Sequence, residues 1–272
     1  MVSFKADKNG RLSKLAIIKF NNLSYSAVRK ALRNKDVKVN GKRVKDDVSL
    51  SVGDTVELYV ELTAPSFYSV LYEDANVVVI NKKSGVTSEE IFELLKKEYS
   101  DVRFIHRLDR NTSGIMIFAL NPTAGQELLA GFKARTFNKV YYAEVFGFMP
   151  DSAGEYNAFL VKDSAAATVK VTDAPTKGAL PIRTGYRVIK EKDLTSVLEV
   201  TLYTGRTHQI RAQLAHAGHF VVGDGKYGNN VFNRAHGFKS QKLVAGKLTL
   251  NFREESPLYY LNGRTFTVDC DF

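Results

Sequence analysis

A chain of 272 residues suits two domains better than one, and its 44% hydrophobic content supplies a true core. The net charge of +10 points to a polyanionic partner, above all nucleic acid. One cysteine excludes an intrachain disulfide, apolar runs such as VVVI and IMIFAL are too short to span a bilayer, and MVSFKADKNGRLS lacks a signal-peptide core, so a cytoplasmic protein without membrane contact is expected.

Residues 1–62 hold 13 Lys and Arg against 7 Asp and Glu, a net of +6, so over half the excess charge lies in under a quarter of the chain. The spacing of Leu12, Leu15, Ala16 and Phe20 predicts a short amphipathic helix from Arg11. Ser24 suits the cap of a second helix, with Val28, Ala31 and Leu32 as its apolar stripe and Arg29, Lys30 and Arg33 beside it. In VKVNGKRV, Asn40-Gly41 predicts a two-residue hairpin turn that leads into Lys42 and Arg43. VGDTVELYV then alternates Val56, Leu58 and Val60 as a strand does. Such clustered cations make a phosphate-contact surface or, equally, a solvated charged face. This run, over residues 10–61, resembles an S4 domain, a small RNA-binding unit; VNGK and the later GD carry the match. Pro65 marks a boundary, giving an S4-like domain at 1–62, a linker at 63–68 and a larger domain at 69–272.

The larger domain opens with SVLYEDANVVVINK, two strands about a polar turn. Thr87 and Glu90 form a capping-box pattern before a helix carrying Ile91, Leu94 and Leu95. RFIHRLDRNTSGIMIFAL, residues 103–120, then sets Asp109 among Arg103, Arg107 and Arg110, with a Thr-Ser-Gly turn and an apolar strand behind it. A surface ion cluster would look the same as an anionic group held for chemistry. A helix with Leu128, Leu129 and Phe132 leads into the strand KVYYAEVFG. Short strands mixed with helices, without a βαβ rhythm, predict an α+β fold.

A second constellation is TGRTHQIRAQLAHAGHFVVGDGKYG, residues 204–228. Thr207 is the predicted N-cap, Ile210, Leu214 and Ala217 the buried stripe, and Gly218 the stop. Arg206 at the entrance, with His208 and Arg211 on another face, makes a helix N-terminus suited to an anion. GDGKYG fits G-x-G-x-x-G by letter only. NNVFN is a poor helix start and LVAGKL, about twenty residues on, has no acid, so it reads as a glycine-rich turn. His208, His216 and His219 lack metal-ligand spacing, and neither a P-loop nor a G-x-S-x-G elbow occurs. No metal is expected.

HRLDRNTSG (106–114), KVYYAEVFG (139–147) and the 204–228 block occur in one order in one chain. Together, over residues 68–252, they resemble the RluA-type pseudouridine synthases, RNA-modifying enzymes that often carry an S4 domain in front. The chain departs from that pattern at NKKSG, where the family usually has Lys-Pro and this chain has Lys82-Lys83, and again at HFVV before GD. The resemblance implies that Asp109 is the catalytic aspartate, that Arg211 pairs with it and that Tyr141 packs on the uracil. It makes Arg107 the arginine that enters the space left by the flipped base. It also implies a mixed, largely antiparallel sheet with a cleft across its middle, and no cofactor. Of the remaining candidates, His106, Arg110, Arg206 and His208 would face RNA, as would Arg29, Lys30, Arg33, Lys42 and Arg43 in the N-terminal unit.

The implied reaction breaks the N1–C1′ bond of uridine, turns the uracil and forms C5–C1′. One carboxylate could attack C1′ or C6 or remove the 2′ proton, and a nearby guanidinium favours its charged form. The expected substrate is structured RNA, large-subunit ribosomal RNA first and transfer RNA as the alternative, acted on by a monomer. A non-catalytic RNA-binding or ribosome-assembly factor is the rival class. A carboxylate glycosidase would need a second acid, which the motif lacks.

Overall fold

The computed structural model describes residues 1–20, 23, 25–60, 67–163 and 168–272. They form two compact units, Met1–Ser66 and Phe67–Phe272. Ser24, read as a helix cap, and Pro65, read as a boundary, lie outside the described residues.

The first unit runs β1 (Val2–Lys5), β2 (Gly10–Arg11), α1 (Leu12–Lys19), α2 (Tyr25–Arg33), β3 (Val37–Val39), β4 (Lys42–Arg43), β5 (Ser49–Leu50) and β6 (Thr55–Leu58). Strands β1, β6, β3 and β4 make one sheet in that order, and β2 pairs with β5. Leu12, Leu15, Ala16, Val28, Ala31 and Leu32 bury their side chains with Val37, Val56 and Leu58. No local residue caps α1. Its cap comes from Asp47, whose two oxygens accept from the Ser13 N–H at 2.9 Å and the Ser13 hydroxyl at 2.7 Å. Asn40 and Gly41 both take positive φ, +50° and +78°, as a type I′ hairpin turn requires.

The second unit begins with β7 (Tyr68–Glu73), β8 (Val77–Lys82), α3 (Ser88–Leu95), β9 (Ser113–Ala119), α4 (Pro122–Ala134) and β10 (Asn138–Phe146). It continues with β11 (Ala153–Asp163), β12 (Thr168–Thr172), β13 (Leu180–Glu191), β14 (Thr195–Leu202), α5 (Gln209–His216) and α6 (Asn230–Ala235). Strand β15 (Leu243–Thr249), a 3₁₀ turn (Tyr259–Leu261) and β16 (Thr265–Thr267) complete it. One sheet runs β12-β11-β13-β14-β10-β15-β9-β8-β7, with β16 also on β15. Every pairing is antiparallel except β9 with β15, so the sheet is mixed and largely antiparallel.

Each half of the sheet is covered for a reason visible in its strands. In β8 and β9 alternate residues face opposite ways. Val78, Ile80, Met116 and Phe118 pack with Ile91 and Leu95 of α3, while Val77, Val79, Ile115 and Ile117 pack with Ala124 and Leu128 of α4. Burial on both faces explains why these strands read as unbroken apolar runs. In the other half, Ile210 and Leu214 of α5 pack on Ala143, Val145, Leu198 and Val200. Thr87 and Glu90 do close a capping box on α3. Leu129, expected in the stripe of α4, is 49% exposed, because Leu128 and Ala124 already fill that face.

Candidate active site

Asp109 lies in the irregular stretch between α3 and β9, and what fixes it is a strap of residues 82–88. The Lys82 ammonium is fully buried and donates to the carbonyls of Lys83, Val86 and Arg110 at 2.9, 2.7 and 3.1 Å. Burial pushes its pKa down to about 8, against the pull of Asp109. The Ser88 hydroxyl accepts from the Leu108 N–H and donates to the Leu108 carbonyl, both at 2.9 Å. The Gly85 N–H and the Ser84 hydroxyl bond the carbonyls of Arg110 and Asn111. Where the family pattern has proline, the Lys83 N–H donates to the Phe67 carbonyl at 2.8 Å, so the departure adds a bond.

The Thr-Ser-Gly turn has a steric cause. Gly114 has φ +115° and pairs with Ala245 of β15 in the one parallel ladder. A Cβ there would overlap the Ala245 carbonyl, so only glycine lets β9 start beside β15. Ala245 also pairs with Tyr141 of β10, where one extra residue in β15, Gly246, makes a bulge. Tyr141 and the Asp109 turn are thus delivered to the middle of the sheet from either side of β15.

The clamp on Asp109 comes from neither Arg107 nor Arg110. It comes from Arg211, 102 positions later on α5, whose Nη1 donates to Asp109 Oδ2 at 2.7 Å. The same guanidinium grips Asp224 with its other edge, Nε to Oδ2 at 2.7 Å and Nη2 to Oδ1 at 2.9 Å. Burial works against the charge of Arg211, but the two carboxylates outweigh it and raise its pKa. Burial likewise works against Asp224, and Arg211 overcomes it, so the Asp224 pKa falls. Asp224 Oδ1 also accepts from the N–H groups of Lys226 and Tyr227, which turns the chain so that the Tyr227 hydroxyl meets His208 Nδ1 at 2.8 Å. His208 Nε2 lies 3.9 Å from Asp109 Oδ2, and burial lowers the His208 pKa despite Asp109. Among the described residues, Asp109 Oδ1 accepts no hydrogen bond.

Asp109, His208 and Arg211 line a cleft of about 910 Å³, with Asp224 and Tyr227 behind them. Arg107, Arg135, Lys139, Arg183, Arg206 and Arg211 line it as cations, and among the described residues Asp109 is the only acid on its wall. His106, Tyr141 and His208 also line it. Burial, and then the charge of Asp109, raises the Tyr141 pKa, so its phenol stays neutral. His106 Nε2 accepts from the Ile117 N–H at 3.1 Å, and the ring stacks on Phe132 at 4.5 Å. Burial, helped by Lys139, drives the His106 pKa down to about 3. Arg107 is exposed and pairs with Glu89 at 3.3 Å.

Several expectations need correcting. Arg103 stands apart from Asp109, its backbone bridging Ala119 and its side chain lying by Gly125. Arg110 does not line the cleft and turns to Glu90 and the Gly85 carbonyl. The N-cap of α5 is His208 at φ +55°, not Thr207, because Gln209 Oε1 accepts from the Arg206 N–H and the Thr204 hydroxyl and turns the chain one residue later. NNVFN does start a helix, α6, since Asn229 accepts from the N–H groups of Val231 and Phe232. The anions that Arg211 of α5 holds are the protein's own Asp109 and Asp224. Arg29, Lys30, Arg33, Lys42 and Arg43 are all exposed in the first unit. Asp224 and Tyr227 had no role in the sequence reading, although the GD and YG of the 204–228 block contain them.

Among the described residues, a single acid clamped by arginine in a basic cleft, over a mixed and largely antiparallel sheet, is the arrangement expected of an RNA-modifying isomerase. The family model for RNA pseudouridylate synthase matches residues 76–216, over half the chain, and the chain belongs to that family. Among relatives, the chain is 30% identical to the ribosomal large subunit pseudouridine synthase C of Vibrio cholerae, with 78% of this chain and 75% of that one covered. It is 29% identical to the same-named protein of Escherichia coli K12, over 86% of this chain and 81% of that one. Among solved structures, human RNA pseudouridylate synthase domain containing 1 matches with a TM-score of 0.62 and 28% identity, covering 72% of this chain and 83% of that chain. Among the described residues no helix is long and apolar enough to cross a membrane.

Proposed function

We propose that the chain converts uridine to pseudouridine in large-subunit ribosomal RNA, with Asp109 as the catalytic carboxylate. The observation that carries the chemistry is the one acid that the described residues bring to the cleft, held through Oδ2 by Arg211 while Oδ1 is left for substrate. The names of the bacterial relatives support the choice of RNA.

The target base leaves its stack to reach the cleft, at a cost of a few kcal/mol. Tyr141 offers a ring face to the uracil and the exposed Arg107 fills the gap left behind. Aromatic stacking of about 1–3 kcal/mol per base offsets much of the extrusion. Asp109 then attacks C1′ or C6 or takes the 2′ proton; on each route Arg211 fixes its orientation, and Asp224 fixes Arg211. The N1–C1′ bond breaks, the uracil turns, C5 bonds to C1′ as Asp109 gives up the bond or proton it had taken, the C5 proton leaves to solvent and N1 ends protonated. Atoms and electrons balance without a redox partner.

The first unit serves as an S4-type RNA-binding domain, spanning residues 1–62, with Arg29, Lys30, Arg33, Lys42 and Arg43 on backbone phosphates. His106, Arg206 and His208 complete the RNA-facing set in the cleft, with His106 chiefly supporting its wall, and the exposed Arg110 meets RNA outside the cleft. The protein acts as a monomer in this reading, and the single cysteine suits the reducing cytoplasm. The test is to incubate the protein with unmodified large-subunit ribosomal RNA or with unmodified transfer RNA and map pseudouridine. New sites in the ribosomal RNA are expected. Sites in transfer RNA alone would overturn the substrate, and none in either would overturn the activity.

A further inference from the structure

At the mouth of the same cleft stands an exposed ring that the chemistry above does not use. Tyr203 follows β14 directly, is 42% exposed and lines the cleft. The Arg183 guanidinium covers it at 4.3 Å from the ring centroid. Arg183 is itself held in place, with Nε and Nη2 donating to the two oxygens of Glu155 at 2.7 Å each. With its Nε/Nη2 edge spent on Glu155, the guanidinium is held in one plane and backs the ring.

The pair is also registered against the catalytic helix. The Arg183 N–H donates to the Thr204 hydroxyl at 2.9 Å, that hydroxyl donates to Gln209 Oε1 at 2.8 Å, and Gln209 Nε2 returns to the Arg183 carbonyl at 3.1 Å. Gln209 is buried on α5, two residues before Arg211. Gly185 keeps room for the ring, since a Cβ there would press on Tyr203 at 3.2 Å. Among the described residues no second ring or cation lies against Tyr203. A rigid aromatic plane with a braced back and exposed surface, set at a fixed offset from Asp109, is built to take another flat group.

We propose that Tyr203, braced by Arg183, is a stacking platform for a nucleobase next to the target uridine, and so helps to choose the RNA. This rests on the reading of the cleft as an RNA site. At about 910 Å³ the cleft lies at the upper end of the roughly 300–1,000 Å³ that accommodates a drug-sized ligand. A single pyrimidine nucleoside leaves part of it empty, and of the rings that line the cleft Tyr203 is the exposed one. Stacking is tolerant of base identity but demands an unpaired, accessible base, so the platform selects loop uridines with a flexible neighbour.

The test uses short RNA hairpins whose loop uridine is flanked by 2-aminopurine on its 5′ or its 3′ side. Binding by the wild-type chain should quench 2-aminopurine on one side more than on the other. Tyr203→Ala should abolish that quench and weaken binding about 5- to 150-fold, the equivalent of about 1–3 kcal/mol. Tyr203→Phe should keep both, and the thermal midpoint should not move, because the ring is a surface group. An abasic residue at the quenched position should weaken wild-type binding by a similar factor and leave Tyr203→Ala unchanged, the mark of a direct contact. Tyr203→Ala that binds and quenches like wild type would overturn the proposal, as would equal losses in the Ala and Phe variants. Tritium release from uracil C5 in the same hairpins reports separately on the isomerase reading, and binding decides the platform whatever that assay gives.

Discussion

Asp224→Asn is the substitution that most sharply separates a clamp from a chance ion pair. Asparagine keeps the shape of the side chain but offers one acceptor oxygen where Arg211 now meets two, and it turns an amide NH₂ toward one guanidinium nitrogen. Removing one partner of a buried pair costs about 3–5 kcal/mol. Asp109 still pairs with Arg211, which places the loss near the lower end, about 3 kcal/mol. In catalysis the freed guanidinium no longer fixes Asp109. Losing one charge-assisted hydrogen bond, about 1.5–3 kcal/mol, corresponds to a single-turnover rate roughly 10- to 150-fold lower. Urea unfolding and tritium release under single-turnover conditions read the two effects. The pH dependence adds a check on sign. Burial raises the Asp224 pKa and Arg211 more than reverses that, so its folded value lies below the unfolded one. Its contribution is therefore complete above the unfolded value, near 3.9, and is lost as pH falls through the folded value. The variant should lack that acid limb. Wild-type stability together with wild-type rate would refute the claim that Asp224 holds the arginine.

Two further expectations concern other parts of the chain. Deleting residues 1–62 should weaken RNA binding and flatten the dependence of log K on log salt, leaving slow turnover on short RNA fragments; an unchanged slope would show that the first unit touches no phosphates. His106 is held neutral, with a folded pKa of about 3 against roughly 6.5 unfolded, so stability should fall as pH drops from 6.5 toward 3. In His106→Asn that fall should be shallower by up to about 1.4 kcal/mol per pH unit, and equal slopes in the two proteins would contradict the burial of a neutral ring.

What could be read from the sequence divides along physical lines. Local signals held where one short segment fixes its own geometry: Asn40-Gly41 as a hairpin, Thr87 with Glu90 as a capping box, and the apolar runs as strands. β1 and the β2–β5 pair escaped, because two residues hold no period and β1 offers only Val2 and Phe4. Asp109 stood out for the cations beside it in sequence, yet Arg103, Arg107 and Arg110 turn elsewhere and the bond comes from Arg211. Only the family resemblance linked those two positions. Asp224 and Tyr227 were hidden for a related reason. Their partners sit on α5 and reach them through the turn at Gly223, where a Cβ would overlap the Ser240 carbonyl. The N-cap of α5 was misplaced by one residue because a buried glutamine, not a threonine, organises the turn.

The most direct measurement is tritium release from uracil C5 in large-subunit ribosomal RNA, comparing wild type with Asp109→Asn. Wild type should release label at the mapped uridines. The variant should release none while binding the RNA as well or more tightly, since a negative charge has been removed from a basic cleft. Equal release from both proteins would contradict the assignment of the chemistry to Asp109.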